Sequence, residues 1–222
     1  EEGLWAQEID PARIGRLLIT HAHGDHIRSA GKFARKYGTP VYLTRAAYKT
    51  GRREGFDLPE ERLNFLREKE TFGGIKLKIF HLPHDESGNI GFLFQRQNFR
   101  AAYFTDLGMM PERIFRDIHD CDFLFLEANH IVEYEKASRR PAHVIARNIG
   151  DFGHLSNEQA AYIVERVVKK EGKTKAIMLA HISRDCNHHA FVEKTIKSAL
   201  HEVAGIKVLL APEGRCSERV KI

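Results

Sequence analysis

The stretch HAHGDHIRSAGKF (residues 21–33) places three histidines and one aspartate within six positions and then continues with the spacing of a helix. Neighbouring histidines lose solvation on burial and repel one another once protonated, so such a cluster needs a partner that its members share. A metal ion is the usual partner, although an HxH pair alone is about as common in a solvated polar loop. Four ligand-type side chains in six positions favour a metal site, with these candidate ligands: His21, His23, Asp25 and His26.

The segments on either side of this cluster predict how it is presented. Residues 16–20 form a short apolar run that ends in a β-branched residue, which is typical of a strand. Residues 26–37 carry apolar side chains at helical spacing, and Gly38 followed by Pro40 predicts the end of this helix. The cluster is therefore expected in a loop between a strand and a helix.

The remaining chain combines a strand-rich middle with an alternating final third, and residues 45–72 read as helix and loop with a solvated charged face. Ser156 and Gln159 form a capping box, which predicts the start of a helix that runs to about residue 170. This pattern indicates two sheets covered by helices. The other predicted strands are residues 41–44, 75–81, 90–95, 101–105, 123–127, 176–180 and 206–210, and the other predicted helices are 111–118 and 189–203.

Composition limits the class of protein. The 222 residues suit one domain, residues 1–222, and the 42% hydrophobic and 29% charged content fits a soluble chain without a membrane-spanning run. No secretory signal is read at the start, although the chain begins with Glu1. The three cysteines lie far apart without a CxxC pair, which favours a reducing compartment such as the cytoplasm. The net charge of +5 makes a polyanionic partner plausible.

Three further candidate ligands each follow a predicted strand: His84, Asp106 and His181. Singly, His84 and Asp106 are more typical of turn residues than of ligands. Their recurrence at strand ends is informative, because loops at strand ends can converge while the sheet holds them rigid.

The HAHGDH segment resembles the HxHxDH motif of the metallo-β-lactamase superfamily, and the three strand-end residues match its later ligand positions. The resemblance covers nearly the whole chain and implies an α/β fold, a four-layer αββα sandwich, with two divalent metal ions. It implies His21, His23 and His84 at the first ion, Asp25, His26 and His181 at the second, and Asp106 between them. Such a nitrogen and oxygen ligand set suits Zn²⁺ or Mn²⁺.

Within the superfamily, the segments FLEANH, DFGHLSNEQAA and LAHIS resemble the YycJ (WalJ) branch of nucleases, and ribonuclease Z has similar segments. The resemblance implies that Glu127 and His154 handle the scissile phosphate; otherwise they would be a strand-end charge and a neighbour of a helix cap. Asp25 is expected to orient the attacking water as well. His130 is expected to hold a metal ligand by a hydrogen bond.

The sequence departs from the branch pattern in two places. The N-terminal hairpin of the superfamily is missing from the printed sequence, and its absence would leave an exposed edge on the first sheet. Ile131 stands where the branch has an aspartate, and a basic segment follows it. No insertion is large enough for a β-CASP domain. Candidate residues for gripping substrate phosphates are Arg139, Arg140, Arg147 and Arg184.

The resemblance implies a 5′→3′ exonuclease that acts on DNA, with a role in mismatch repair. An RNA-processing ribonuclease is the second hypothesis. A small-molecule hydrolase, such as a phosphodiesterase or a lactonase, is the third, since one fold hosts many functions. A nucleic-acid-binding protein that has lost its metals is the fourth, and the complete ligand set argues against it. No membrane partner is expected, and the sequence leaves the oligomeric state open.

Overall fold

The protein is described from a computed structural model, which covers residues 1–85, 88–168, 172–212, 214 and 216–217. Ten strands and nine helices occur in these ranges. The strands are β1 (Leu17–Leu18), β2 (Val41–Leu43), β3 (Leu63–Phe65), β4 (Lys69–Phe72), β5 (Ile75–His81), β6 (Ile90–Arg96), β7 (Phe99–Phe104), β8 (Phe123–Glu127), β9 (Ala176–Ala180) and β10 (Lys207–Leu210). The helices are α1 (Glu2–Ala6), α2 (Gly24–Ile27), α3 (Ala30–Tyr37), α4 (Arg45–Arg53), α5 (Glu112–Ile118), α6 (Val132–Ala137), α7 (Ala142–Ile149), α8 (Asn157–Val167) and α9 (His189–Ala199).

The strands of the described chain form two sheets. The smaller sheet has the order β1-β2-β3 and is parallel throughout, with β1 at its edge. The larger sheet has the order β10-β9-β8-β7-β6-β5-β4. Its β4 to β7 half is an antiparallel meander, whereas β7 to β10 run parallel to one another. Helices α5, α8 and α9 lie in the connections between or beside the parallel strands, as parallel pairing requires a crossover.

Three apolar clusters establish the order of the layers. In the first, Val41 and Leu43 of the small sheet pack against Ala34 of α3 and Ala47 of α4. In the second, β5 and β6 meet Leu18 of β1, so this cluster lies between the sheets. The third and largest joins the other face of the large sheet to α5, α8 and α9. The predicted four-layer αββα sandwich is therefore confirmed.

Most predicted elements lie where apolar runs placed them. The strands at residues 75–81, 123–127 and 176–180 agree with the structure at both ends, and the capping box of Ser156 and Gln159 opens α8. The end predicted for that helix, near residue 170, lies outside the described residues. The single helix predicted at residues 26–37 was wrong, because the chain breaks between α2 and α3. The short α2 sets His26 beside His21 while Ile27 enters the core.

Two regions were not predicted correctly. Residues 45–72 contain β3 and β4 in addition to α4, and β4 alternates exposed and half-buried residues at the edge of the large sheet. Phe72 is its one apolar side chain, so the sequence there has no apolar pattern of a strand. The helices α6 and α7 lie in the segment described from sequence only as basic, where no helix was predicted. Among the described residues, no helix combines the length and the apolar character needed to cross a bilayer.

Candidate metal centre

The carboxyl ends of five strands converge on one edge of the sandwich. The loop after β1 carries His21 and His23 and leads into α2, which carries Asp25 and His26. His84 follows β5 and Asp106 follows β7. Glu127 is the last residue of β8, and His181 directly follows β9. Ligands that are distant in sequence meet here because strands of the two packed sheets end at the same edge of the sandwich.

All seven predicted metal ligands lie together. His21, His23 and His84 each offer one ligand atom within 4.8 Å of the others. Asp25, His26 and His181 form a second such group, and His26 with His21 and Asp106 connects the two. These are the same two groups that the resemblance implied, with Asp106 between them.

In the first group, each histidine uses one ring nitrogen for a protein contact and turns the other towards its neighbours. Nδ1 of His21 is 3.0 Å from Thr20 Oγ1, and Nδ1 of His84 is 3.1 Å from the Gly153 carbonyl oxygen. Nε2 of His23 is 2.6 Å from Asp85 Oδ2. The remaining nitrogens of His21 and His23 are 3.0 Å apart. Such outer hydrogen bonds fix the tautomer and the orientation of a metal-binding histidine.

In the second group, Asp106 bridges the histidines. Its Oδ2 is 3.6 Å from His26 Nε2 and its Oδ1 is 3.5 Å from His181 Nε2. Asp106 and His181 both adopt the left-handed backbone conformation, with φ of 59° and 54°. Non-glycine residues rarely adopt this conformation, and strain of this kind clusters at functional sites.

Glu127 is fully buried and connects the second group to His154. Its Oε2 accepts hydrogen bonds from His181 Nδ1 at 2.6 Å and from His154 Nδ1 at 3.1 Å. It also accepts the backbone N–H groups of Asp106 and Leu155. One carboxylate therefore sets the orientation of two imidazoles and the position of the Asp106 backbone.

The environment changes the protonation of the centre. Burial lowers the pKa of His21 to about 2, and burial also lowers the pKa of His84. Burial of His181 acts in the same direction, but the hydrogen bond and charge of Glu127 outweigh it and raise its pKa to about 9. Burial opposes the charge of Glu127, yet His154 and His181 hold its pKa well below the usual range. His21 and His84 are thus held neutral, whereas His181 is held as an imidazolium that pairs with the Glu127 carboxylate.

The donor set fits divalent metal ions. His84 Nε2 and Asp106 Oδ2 are buried and have no hydrogen-bond partner in the described chain. Buried polar atoms without a partner are costly, and a cation would satisfy both. Five imidazoles and two carboxylates, without a thiolate, are the nitrogen and oxygen ligands that zinc and manganese accept.

A cleft of about 850 Å³ opens beside the centre, lined by Asp25, His154 and His181 at one end. Two predicted phosphate-binding residues, Arg140 and Arg184, also line it. Arg140 forms ion pairs with buried Glu135 and with Asp185. Arg139 is exposed and lies outside the lining of this cleft.

Two residues take contacts that the sequence did not suggest. Arg147, predicted to bind phosphate, is 3.2 Å from Asp85 Oδ2, the oxygen that contacts His23. Asp85 was not predicted, and its position directly after His84 was the available signal. His130 is buried, and neither ring nitrogen has a hydrogen-bond partner among the described residues. The expected hydrogen bond from His130 to a metal ligand is therefore absent among the described residues, although the backbone of His130 forms a bridge with Ser156.

Comparison with known proteins places this geometry in context. Residues 4–182 match the sequence profile of the Beta-lactamase superfamily domain. Exodeoxyribonuclease YycJ of Bacillus anthracis is 31% identical over 204 residues, which cover 90% of this chain and 76% of that protein. Exodeoxyribonuclease WalJ of Streptococcus pneumoniae serotype 2 is 28% identical over 194 residues, which cover 86% and 71%.

The solved structure of the metallo-β-lactamase fold protein YhfI from Bacillus subtilis superposes with a TM-score of 0.68. The superposition covers 94% of this chain and 79% of that chain, at 15% identity. At this level of identity the likeness shows the shared fold alone.

Proposed function

Because the chain belongs to the metallo-β-lactamase superfamily, in the branch of YycJ and WalJ, we propose that it is a two-metal phosphodiesterase that degrades DNA from the 5′ end. The chain is a hydrolase of this superfamily, which implies divalent metal ions at the centre. The proposed ions are Zn²⁺ or Mn²⁺. The names of the relatives, together with the net charge of +5, support a nucleic acid as the substrate.

One observation carries the proposal: two ligand groups, connected through His21, His26 and Asp106, lie beside a cleft that His154 borders. Paired divalent ions supply an activated water and stabilise charge on the attacking and leaving oxygens of an in-line displacement at phosphorus. A centre built for one structural ion would need neither the second group nor the open cleft.

The chain's own residues would position the substrate and transfer a proton. His154 donates Nδ1–H to Glu127, which leaves Nε2 for the substrate. In the proposed reaction, Nε2–H of His154 protonates the leaving 3′ oxygen as the phosphorus–oxygen bond breaks. Asp25, whose side chain is 71% exposed, orients the attacking water, and Arg140 and Arg184 hold flanking phosphates.

The proposed setting is the cytoplasm. Cys121, Cys186 and Cys216 are all free thiols. Burial raises the pKa of Cys121 to about 12 and of Cys186 to about 11, so both are poor nucleophiles. Free thiols support a reducing compartment.

The test compares hydrolysis of 5′-phosphorylated single-stranded DNA, double-stranded DNA and matched RNA, each in Mn²⁺ and in Zn²⁺. We expect 5′-mononucleotides to be released progressively from DNA. Asp106→Ala serves as the matched control and is expected to abolish hydrolysis while polyanion binding remains. Faster hydrolysis of RNA would assign an RNA-processing activity, and hydrolysis of small phosphodiesters alone would reject a nuclease.

A further inference from the structure

A row of aromatic side chains leads away from the mouth of the cleft. We call His188, Phe191 and Tyr134 the aromatic strip. His188 lines the cleft, and its ring centroid is 6.4 Å from that of Phe191. Phe191 in turn is 6.2 Å from Tyr134. Both contacts are nearly perpendicular. Phe191 and Tyr134 are 46% and 45% exposed, so part of each ring is accessible to a ligand.

The strip is fixed relative to the metal centre. His188 is the N-cap of α9, and its Nδ1 accepts the Ala190 N–H at 3.2 Å. Asn187, the preceding residue, donates from Nδ2 to the carbonyl oxygens of Ala128 and Asn129, at the end of β8. It is also paired with Asn157 at the start of α8. Because the backbone that carries His188 and Phe191 is held in place in this way, less ordering is needed when a ligand binds.

The charges around the strip indicate which part of a polynucleotide it suits. Tyr134 and Phe191 border a small pocket of about 210 Å³, and Glu133 and Glu158 lie in the same lining. Carboxylates disfavour phosphate groups at this place, whereas Arg140 and Arg184 line the cleft. Flat aromatic rings stack with nucleobases without regard to sequence. Bases, and not phosphates, are therefore the matching groups here.

We propose that the aromatic strip binds the unpaired bases of single-stranded DNA whose terminal phosphodiester occupies the cleft. The inference rests on the proposed nuclease function and adds a binding surface beyond the cleft. Bases of a duplex are paired and stacked, so they do not offer their faces to the strip. A substrate too short to leave the cleft does not reach it.

The experiment measures kcat and KM for a dinucleotide and for single-stranded DNA of about twelve nucleotides. Phe191→Ala is expected to raise KM for the longer strand about tenfold, as expected for the loss of base stacking. KM for the dinucleotide and kcat for both substrates stay unchanged. Tyr134→Ala behaves alike, whereas Tyr134→Phe and Phe191→Trp retain the wild-type KM because each keeps a ring.

Two controls separate stacking from other effects. Tyr162→Ala removes another exposed aromatic ring, which packs on Arg166 and Phe115 and lines neither the cleft nor the pocket beside the strip, and should leave KM unchanged. A longer strand with abasic nucleotides beyond the cleft should bind the wild type more weakly than the intact strand does. In Phe191→Ala, the same replacement should not weaken binding of the strand further.

The two proposals fail in different ways. If the wild type hydrolyses DNA and the strip variants keep the wild-type KM for the longer strand, the proposal that the strip binds bases is wrong. The exposed rings would then be assigned to the binding of a protein partner. An equal rise in KM for both substrates also overturns that proposal. If the wild type hydrolyses neither substrate, the proposed nuclease function itself is overturned.

Discussion

At the scale of single residues, Glu127 orients more groups of the metal centre than its size suggests. It contacts two histidines and two backbone N–H groups through one buried carboxylate. We expect Glu127→Gln to reduce kcat about 100-fold and to weaken metal binding at the second group 10- to 100-fold, because residues that orient ligands have effects of this size. Steady-state kinetics and metal titration check both values. A variant with wild-type kcat would remove Glu127 from the mechanism.

His154 and His84 provide a matched pair of histidines with different proposed roles. Their rings are 5.3 Å apart. His84 belongs to the ligand group proposed for the first ion, whereas the ligand atom of His154 lies within 4.8 Å of those of Asp106, Glu127 and His181. His154→Ala should slow hydrolysis 10²- to 10⁴-fold at unchanged metal content, as expected for the loss of a general acid. His84→Ala should lose metal as well. Metal analysis of both purified variants decides the assignment, and metal loss in His154→Ala would make His154 a ligand.

The two groups should respond differently to pH. With a pKa of about 9, His181 is protonated at neutral pH in the metal-free protein and must lose that proton to bind a metal ion. Affinity at the second group should therefore rise about tenfold per pH unit up to about pH 9. His21 and His84, with lowered pKa values, are already neutral. Calorimetric titration between pH 6.5 and 8.5 measures both slopes, and equal slopes would contradict this difference.

The seven ligand candidates could be found from sequence because the HxHxDH spacing is local and the other three follow apolar strand runs. Asp85 could not be assigned, because its contact with His23 exists only after the loop after β5 meets the loop after β1. For His130, the position near the site could be predicted from sequence. The lack of a hydrogen-bond partner for its ring could not, because it depends on how distant segments pack around the ring.

At the scale of elements, apolar runs predicted strands well and charged segments poorly. Strands β5, β8 and β9 lie inside the large sheet; β8 and β9 carry nearly continuous apolar side chains, and β5 alternates apolar residues with Lys76 and Lys78. β3 is only three residues long and β4 is mostly polar, and both are recognised as strands only through their pairing with β2 and β5. The break between α2 and α3 likewise follows from the fold of the centre and not from helix propensity.

The loop that carries His154 depends on close backbone packing. An ideal Cβ on Gly108 would lie 2.1 Å from the Gly150 carbonyl oxygen, and one on Gly153 would lie 2.1 Å from the Arg147 carbonyl oxygen. We expect Gly108→Ala to lower the free energy of unfolding by about 1–3 kcal/mol and to reduce hydrolysis. Thermal denaturation and kinetics measure the two effects.

Gly15→Ala is the matched control for this substitution. An added Cβ there meets nothing within 4 Å, so stability should change by less than about 0.5 kcal/mol. If both alanine variants are equally stable and active, the close packing of the loop does not hold His154 in place.

At the scale of the whole molecule, the residues that stabilise the sandwich lie apart from the residues of the metal centre. The large cluster behind the seven-stranded sheet supplies most of the buried apolar side chains, and the strand ends hold the polar centre at one edge. The family relationship and the layers could be recognised from sequence. The cleft and the aromatic strip could not. The cleft lies where the loops after β8 and β9 meet α7 and the start of α9, and the strip lies where α6 meets α9.

In the proposed mechanism, hydrolysis depends on two divalent ions and on Asp106, which lies between their two ligand groups. The most direct measurement titrates Mn²⁺ or Zn²⁺ into metal-free protein and records bound metal and release of mononucleotides from 5′-phosphorylated single-stranded DNA in the same samples. We predict close to two equivalents bound, with hydrolysis rising as the second is bound, and neither full metal content nor hydrolysis in Asp106→Ala. Full hydrolysis by metal-free protein, or with one equivalent bound, would contradict the claim.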